Sequence, residues 1–392
     1  MDRSERVASA TEKGRALDAE GLNLLIYPSD LRNASRVMKI STSLQQSGLF
    51  AETHAVGIAM PGLPNREEIA PGTFLVRVQG SDRPGNFGRL LKALLWQPRV
   101  FREYKARAVS TVAAESIAVL PLAARLAKRS GAVLVYNPHE LESETDTKKG
   151  IKRWIARWIE HRYIHRAGVV STVNGSIADW YAGCYRITRP VVVMNVPVDN
   201  GSTSTLRDQL GLTEEDMLYV HTGNLGSGRN IPLIVREFEL RPHLHVLFLG
   251  DGPLRELITA AVERCPNIHS LPPVDPYSVV GQLRGADVGL CLMETGRSLN
   301  MRYATPNKLF EALFAHTPSL VSNLVEARAI LGELSNTWML EHPEQQLGEA
   351  LDRISKDDVS DFRSNWKGAA GWEQQVAPLV EAYRQAMQRT RH

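Results

Sequence analysis

The chain has 392 residues, 43% of them hydrophobic and 23% charged. That balance excludes a largely disordered chain, and at ~150 residues per domain it suggests two or three globular domains. Its three cysteines (Cys184, Cys265 and Cys291) form no CxxC pair, which argues against a disulfide framework or zinc finger and for a reduced, cytoplasmic setting. The net charge of +3 is unevenly spread. Residues 1–200 hold 28 Lys+Arg against 19 Asp+Glu, or +9, and the remainder holds 18 against 24, or −6. A basic front half reads either as solvated surface or as a face for an anionic partner: a lipid surface, a phosphate or nucleic acid. No apolar run of ~18 residues is present, so no membrane span is expected.

Residues 1–20 are charged and lack an apolar centre, so they are expected to be a disordered lead-in rather than a secretory signal. Leu22–Tyr27 then reads as a short buried strand stopping at Pro28-Ser29-Asp30. Ser35–Gln46 carries Val37, Ile40 and Leu44 at helical spacing, and Gly48 ends it. Strand, turn, helix is the opening of a doubly wound α/β unit. Further strands are predicted at Phe74–Val78, Ala108–Val112, Ala132–Tyr136, Gly168–Val173 and Val191–Met194, with helices over Ala118–Lys128 and Ile151–His165. Near-continuous Val/Leu/Ile runs suit parallel strands covered on both faces. Asn195–Thr205, rich in Pro, Gly, Ser and Thr, is the linker candidate. The alternation restarts beyond it. Strands are predicted at Leu218–His221, His245–Gly250, Asn267–Leu271, Val288–Leu292 and Ser319–Ser322. The helices between and after them are Ile231–Phe238, Leu254–Cys265, Pro276–Arg284, Asn307–Ala315 and an amphipathic Trp372–Gln388.

In open parallel sheets, ligands bind beyond the carboxyl ends of the strands. Thr222–Asn230 (TGNLGSGRN) follows one strand end and precedes a helix. Its glycines, helix N-terminus and Arg229 suit a phosphate, although read alone the segment is better explained as a plain strand-to-helix turn. It is neither a Walker loop nor GxGxxG. Gly250-Asp251-Gly252-Pro253 is a tight turn bordering the same end. Pro306 is placed at the start of a helix on which Lys308 and Glu311 share a face. There they form either a surface salt bridge or a phosphate ligand beside a carboxylate that accepts ribose hydroxyls. In the front half, Asn137-Pro138-His139-Glu140 ends a strand, and His139 either faces a ligand or is structural. Glu140, Glu142 and Glu144 lack a second spaced His, so no metal site is expected. Ile151, Trp154, Ile155, Trp158, Ile159, Tyr163 and Ile164 form an apolar stripe. Lys148, Lys149, Lys152, Arg153, Arg157, Arg162 and Arg166 surround it. It is either a core face or a helix that lies on an anionic membrane.

In this order and spacing, these segments resemble the retaining GT-B glycosyltransferases of the large family four. The resemblance spans about residues 22–385 and is densest over 218–330. It is carried by His221-Thr222-Gly223-Asn224 with Arg229-Asn230-Ile231, by Leu249–Leu254, Gly285–Leu290, Ala304–Glu311 and Ser322–Glu326, and in front by Tyr136–Leu141 and Val193-Met194-Asn195. It implies an α/β GT-B fold, two Rossmann-like domains facing each other across a cleft. The domains would be a lead-in (1–20), an acceptor-side domain (21–197), a linker (198–205), a nucleotide-sugar donor domain (206–370) and a C-terminal helix (371–392) packing back on the first domain.

The implied donor set is Gly223, Asn224, Arg229, Gly250, Asp251, Gly252, Asn300, Tyr303, Asn307, Lys308 and Glu311. Glu311 would bind the ribose hydroxyls, Arg229 the phosphates, and His139 the donor sugar; His139, Arg229 and Lys308 are the residues implied for catalysis. Arg36 and Ser35 fall on the acceptor side. Two positions depart from the family. Tyr303 stands where a glutamate eight residues before Glu311 often contacts the sugar, a contact that Asn300, Tyr303 or Glu294 would take over. Asn224 stands where an arginine is usual, and Lys308 would supply that charge. The substrates implied are a UDP- or GDP-sugar and a glycan, lipid-linked or small-molecule acceptor, as in bacterial polysaccharide or glycoconjugate assembly. An anionic membrane surface is a further expected partner, on the inner face; no metal, cofactor or nucleic acid is expected. A sugar-nucleotide epimerase on the same fold and a non-catalytic partner protein are the alternatives.

Overall fold

The computed structural model describes residues 21–80, 85–294, 296 and 298–390, with backbone alone for 85–94. The expected lead-in lies outside them. Eight strands make the first sheet: β1 (Leu22–Ile26), β2 (Glu52–Ile58), β3 (Arg66–Ala70), β4 (Thr73–Val78), β5 (Val109–Ala114), β6 (Val133–Tyr136), β7 (Val169–Thr172) and β8 (Val191–Val192). Their order is β3-β4-β2-β1-β5-β6-β7-β8. From β4 to β7 the pairings are parallel, and β3 runs antiparallel to β4. Removing β3 and β8 leaves a doubly wound order that reverses between β1 and β5.

The second sheet comprises β9 (Met217–Asn224), β10 (Leu244–Asp251), β11 (Ile268–Leu271), β12 (Val288–Cys291), β13 (Ser319–Ser322) and β14 (Met339–Leu340). All its pairings are parallel in the order β11-β10-β9-β12-β13-β14, which reverses between β9 and β12. Side chains alternate across it. Tyr219, Val246 and Phe248 enter one core with Ile231, Ile234 and Ile258 from two covering helices. Leu218, Val220, Leu247 and Leu249 enter another with Val280, Leu283, Ala312 and Ala315. Burial on both faces is why these strands read as unbroken apolar runs.

The chain divides into two compact units. One comprises residues up to His139, Arg157–Ser171 and Val376 onward; the other comprises Glu140–Ala156 and Thr172–Gln375. The helix Trp372–Thr390 contributes to the first unit's interior, where Leu379 and Tyr383 are fully buried and the Tyr383 ring meets Phe50 edge-on at 6.2 Å.

Several element boundaries differ from expectation. β9 and β10 run on through Asn224 and Asp251, so the expected glycine loops begin inside the sheet. Gly223 and Gly250 pair across these strand ends, and a Cβ on Gly250 would strike the Gly223 carbonyl. Two glycines let the ladder extend where a side chain would end it. Pro306 caps its helix from outside, with Asn307 first in the helix. Helix Pro276–Arg284 shrinks to Val279–Leu283. Strands β2 and β3 and helices Gly85–Tyr104 and Gly175–Tyr185 were not anticipated.

Candidate active site

At the reversal point of the second sheet, β9 delivers His221 and Thr222, β12 delivers Cys291, and the helix Asn307–Phe314 delivers Lys308 and Glu311 from its first turn and a half. This is where an open α/β sheet presents a ligand crevice. Lys308 Nζ lies 3.0 Å from His221 Nε2. His221 is buried; burial first, and then the Lys308 charge, push its pKa well below the ordinary histidine value. The ring is therefore neutral and Lys308 donates to Nε2. Burial pulls the Lys308 ammonium down to about 8, with Arg229 adding to the fall and Cys291 and Glu311 opposing it. Cys291 is itself pushed up to about 11, chiefly by burial. Thr222 Oγ1 donates to Glu311 Oε2 at 3.1 Å, fixing the carboxylate at the strand end. Two cations and one oriented carboxylate thus meet at one strand terminus.

The approach to them is backbone. Gly223 has φ +84°, and Asn224 is exposed beside it. Leu225 N–H donates to the Asp251 carbonyl and Leu254 N–H to the Leu225 carbonyl, which ties the two strand-end loops together. Any Cβ at Gly252 would come within 2.7 Å of the Leu225 backbone. Glu294 N–H donates to the Gly228 carbonyl at 3.2 Å, bringing the segment after β12 to the same loop.

Other residues expected in the donor set have hydrogen-bond partners within the protein. Asn300 is buried and both ends of its amide are used: Oδ1 accepts from Leu141 N–H at 2.8 Å and Nδ2 donates to Glu140 at 2.7 Å. It thereby clamps the 140–141 segment. The Tyr303 carbonyl accepts from Asn174 Nδ2 at 2.7 Å, and Thr305 Oγ1 accepts from the same amide at 2.8 Å. Asn307 Oδ1 accepts from Asn195 at 3.1 Å. Asp251 faces its own following turn, accepting from Gly252 N–H at 2.8 Å with Arg255 3.4 Å away.

A second polar cluster sits at the reversal point of the first sheet. Glu115, directly after β5, is fully buried. Its Oε1 accepts from Asn137 Nδ2 at 2.8 Å and its Oε2 lies 2.9 Å from His139 Nε2. Ser171 Oγ donates to Asn137 Oδ1 at 2.6 Å, holding that amide in place. The Tyr27 ring, at the end of β1, lies 5.0 Å from the His139 ring. Arg36, in the first turn of the helix Ser35–Gln46, is buried; burial pulls its pKa down to about 10 and Glu115 opposes this. Ser35 begins that helix half-buried. Arg36 and His139, expected on separate grounds, are therefore coupled through one carboxylate. Sequence reasoning missed Glu115, which stands a few residues past the predicted strand Ala108–Val112, as His139 does past Ala132–Tyr136, and directly after the observed β5. Among the described residues no three His, Cys, Asp or Glu side chains converge to hold a metal ion.

Residues 34–197 match the family model of the glycosyl transferase 4-like domain. No curated protein matches the chain in sequence. Solved structures resemble it over nearly its whole length at low identity. Sucrose-phosphate synthase from Thermosynechococcus elongatus is 13% identical with a TM-score of 0.74, covering 94% of this chain and 100% of that one. Anabaena HepE, solved in complex with UDP-glucose, is 13% identical with a TM-score of 0.65, covering 95% and 99%. A putative UDP-N-acetylglucosamine 2-epimerase from Listeria monocytogenes is 12% identical with a TM-score of 0.60, covering 95% and 98%. Residues 34–197 thus resemble a glycosyl transferase 4-like domain, and the chain as a whole has the GT-B fold of these solved structures.

Proposed function

We propose that this protein transfers a hexosyl group from a nucleoside diphosphate sugar, with a UDP- or GDP-sugar as donor, to a glycan, lipid-linked or small-molecule acceptor with retention of anomeric configuration. The observation that carries this reading is the meeting of Lys308, Arg229 and Glu311 at the end of β9. Burial and mutual repulsion hold the Lys308 ammonium below its usual range, so an anion bound there relieves a standing electrostatic cost. A diphosphate is such an anion, and it gains negative charge as it leaves the sugar, when fixed cations and backbone N–H groups stabilise it most. Glu311 accepts from both ribose hydroxyls, with Thr222 keeping one oxygen in place. Gly223, Gly250 and Gly252 allow the backbone to approach the phosphates. The acceptor attacks on the leaving-group face and the diphosphate oxygen takes its proton, so no enzyme carboxylate is required as nucleophile.

In this reading residues 206–370 are the donor side and residues 21–197 the acceptor side. Glu115 holds His139 as a contact for the sugar in the transition state, while Arg36 and Ser35 face the acceptor. The setting is polysaccharide or glycoconjugate assembly at the inner face of an anionic membrane. The test is a thermal-shift panel of UDP, GDP, ADP and their sugar conjugates on the wild type and Glu311→Ala. At about 100 times its dissociation constant a ligand adds ~2.7 kcal/mol of stability. One nucleotide should raise the melting temperature, and Glu311→Ala should abolish the rise. No rise with any nucleotide would overturn the proposal.

The likeness to a putative 2-epimerase, together with the Glu115–His139 pair, favours one second reading, the epimerisation of a nucleotide sugar. Chromatography separates the two. Transfer yields free nucleoside diphosphate in step with glycosylated acceptor, whereas epimerisation yields an isomeric nucleotide sugar without acceptor.

A further inference from the structure

The apolar stripe of the helix Ile151–Tyr163 does not form one core face. It divides. Ala156, Glu160 and, just beyond the helix, Ile164 are buried, and Glu160 accepts from the Tyr136 hydroxyl at 2.8 Å. The opposite side of the helix carries Ile151, Trp154, Ile155 and Trp158, exposed by 72%, 62%, 44% and 54%. These positions are i, i+3, i+4 and i+7, so they share one face. Scattered exposed apolar residues need no explanation, but two tryptophans and two isoleucines in one contiguous row do.

The surroundings of that row decide what covers it. Lys149, Lys152 and Arg162 are exposed around it. Arg153 is committed to Glu144 through a two-bonded ion pair. Glu160 is the one carboxylate within the helix, and it lies on the buried side. The outward surface of the helix is therefore apolar and cationic, with no acid. A second copy of this chain would bring the same cations against themselves. An anionic bilayer meets both features at once: acyl chains and the headgroup layer take the isoleucines and tryptophans, and lipid phosphates take the lysines and arginine. Tryptophan, apolar with one N–H donor, favours that boundary layer. Among the described residues no helix is long and apolar enough to cross a membrane, so the contact is one of lying on the surface.

We propose that the row Ile151-Trp154-Ile155-Trp158 with Lys149, Lys152 and Arg162 is the surface that seats this protein on anionic lipid. This deepens the membrane side of the function proposed above and rests on it for its purpose, but not for its test. The experiment is flotation of the full chain with vesicles of phosphatidylcholine containing phosphatidylglycerol, and with phosphatidylcholine alone. It is run on the wild type, Trp154→Ser/Trp158→Ser and Lys149→Glu/Lys152→Glu, with melting temperature, light scattering and the nucleotide thermal shift measured alongside.

The wild type should float with the anionic vesicles and lose that binding between 0.1 and 1 M salt, as the screening length falls from ~10 to ~3 Å. Each double variant should lower partitioning by about tenfold or more while melting as the wild type does. Failure of the wild type to float overturns the proposal, as does flotation that both variants retain. Dimerisation removed by the tryptophan variant assigns the row to a second copy and overturns it equally. A nucleotide shift that persists when flotation fails leaves the sugar-transfer reading standing, and the converse result separates them the other way.

Discussion

Lys308 is the side chain on which the donor site turns. Its pKa, about 8 against an ordinary 10.5, is set chiefly by burial, with Cys291 opposing the fall and Arg229 adding to it. The folded state therefore binds fewer protons than the unfolded chain between those values, and stability rises with pH across that window. Below about 8 the ammonium is charged in both states and its burial cost is felt in full. Lys308→Met removes the charge, leaves the methylene packing and lets His221 stay neutral. It should stabilise the ligand-free protein at pH 7 by on the order of 1–2 kcal/mol, a value held down because Lys308 is only partly buried. The same variant should lose most of the nucleotide-induced thermal shift. In the wild type that shift should weaken as pH rises through about 8, since only the protonated amine attracts a diphosphate. Denaturant melts at pH 7 and 9, with and without nucleotide, check both signs. A variant that destabilises the free protein would show the amine to be structural.

At the scale of elements, the crossing of β9 and β10 at Gly223 and Gly250 is the tightest point near the site. A Cβ on Gly250 runs into the Gly223 carbonyl, a backbone atom with no flexible end to move. Gly250→Ala should part the two strand ends and cost about 2–4 kcal/mol, in the range of overpacked cores and strained backbone. Nucleotide binding should fall with it, and thermal melting read beside the nucleotide shift measures both. Gly62→Ala, at a positive-φ glycine in open space on the surface, should cost less and leave binding intact.

The elements also show what the sequence makes readable. The strands of the second sheet are dense in Val, Leu and Phe because both faces are covered, and their positions follow from that run of residue types. Helix Ser35–Gln46 is equally plain, with its apolar spacing and terminal Gly48. β2 (Glu52–Ile58) is hidden because it contains a buried histidine: His54 Nδ1 meets the Tyr104 hydroxyl at 3.0 Å, and Nε2 meets Glu52 at 3.0 Å. A polar residue satisfied by a distant partner breaks any local apolar pattern. The same reason hides Glu115. Its partners Asn137 and His139 lie more than twenty residues on, so nothing near it in the chain marks it as part of a site. Lys308 and Glu311 were legible because their spacing on one helix is local. The Trp154 and Trp158 row was visible as a stripe, but which side of it faces water depends on packing that no local pattern records.

For the molecule as a whole, the decisive feature is that Val376 onward belongs with the residues up to His139, while Thr172–Gln375 forms the other unit. Leu379 and Tyr383 fill the first unit's interior, so a chain ending at residue 371 should lack part of that core. Removing a buried Leu and Tyr together costs about 5–8 kcal/mol by the usual large-to-small scale, enough to unfold a unit of ordinary stability. Limited proteolysis of the truncated chain should cut first within residues 21–139 and spare 206–370. Equal resistance in both regions would show that the helix is dispensable. The arrangement has a consequence for synthesis on the ribosome. The part of the protein made first cannot close its core when it emerges, because its last helix is encoded after the whole of the other unit. At 5–20 residues per second, the roughly 240 residues between His139 and Val376 amount to about 10–50 s of translation. Through that interval Phe50 waits without the Tyr383 ring against it, so the nascent chain has a stretch of its life in which a holding chaperone, or slowed access to partners, protects it more than its own finished fold does.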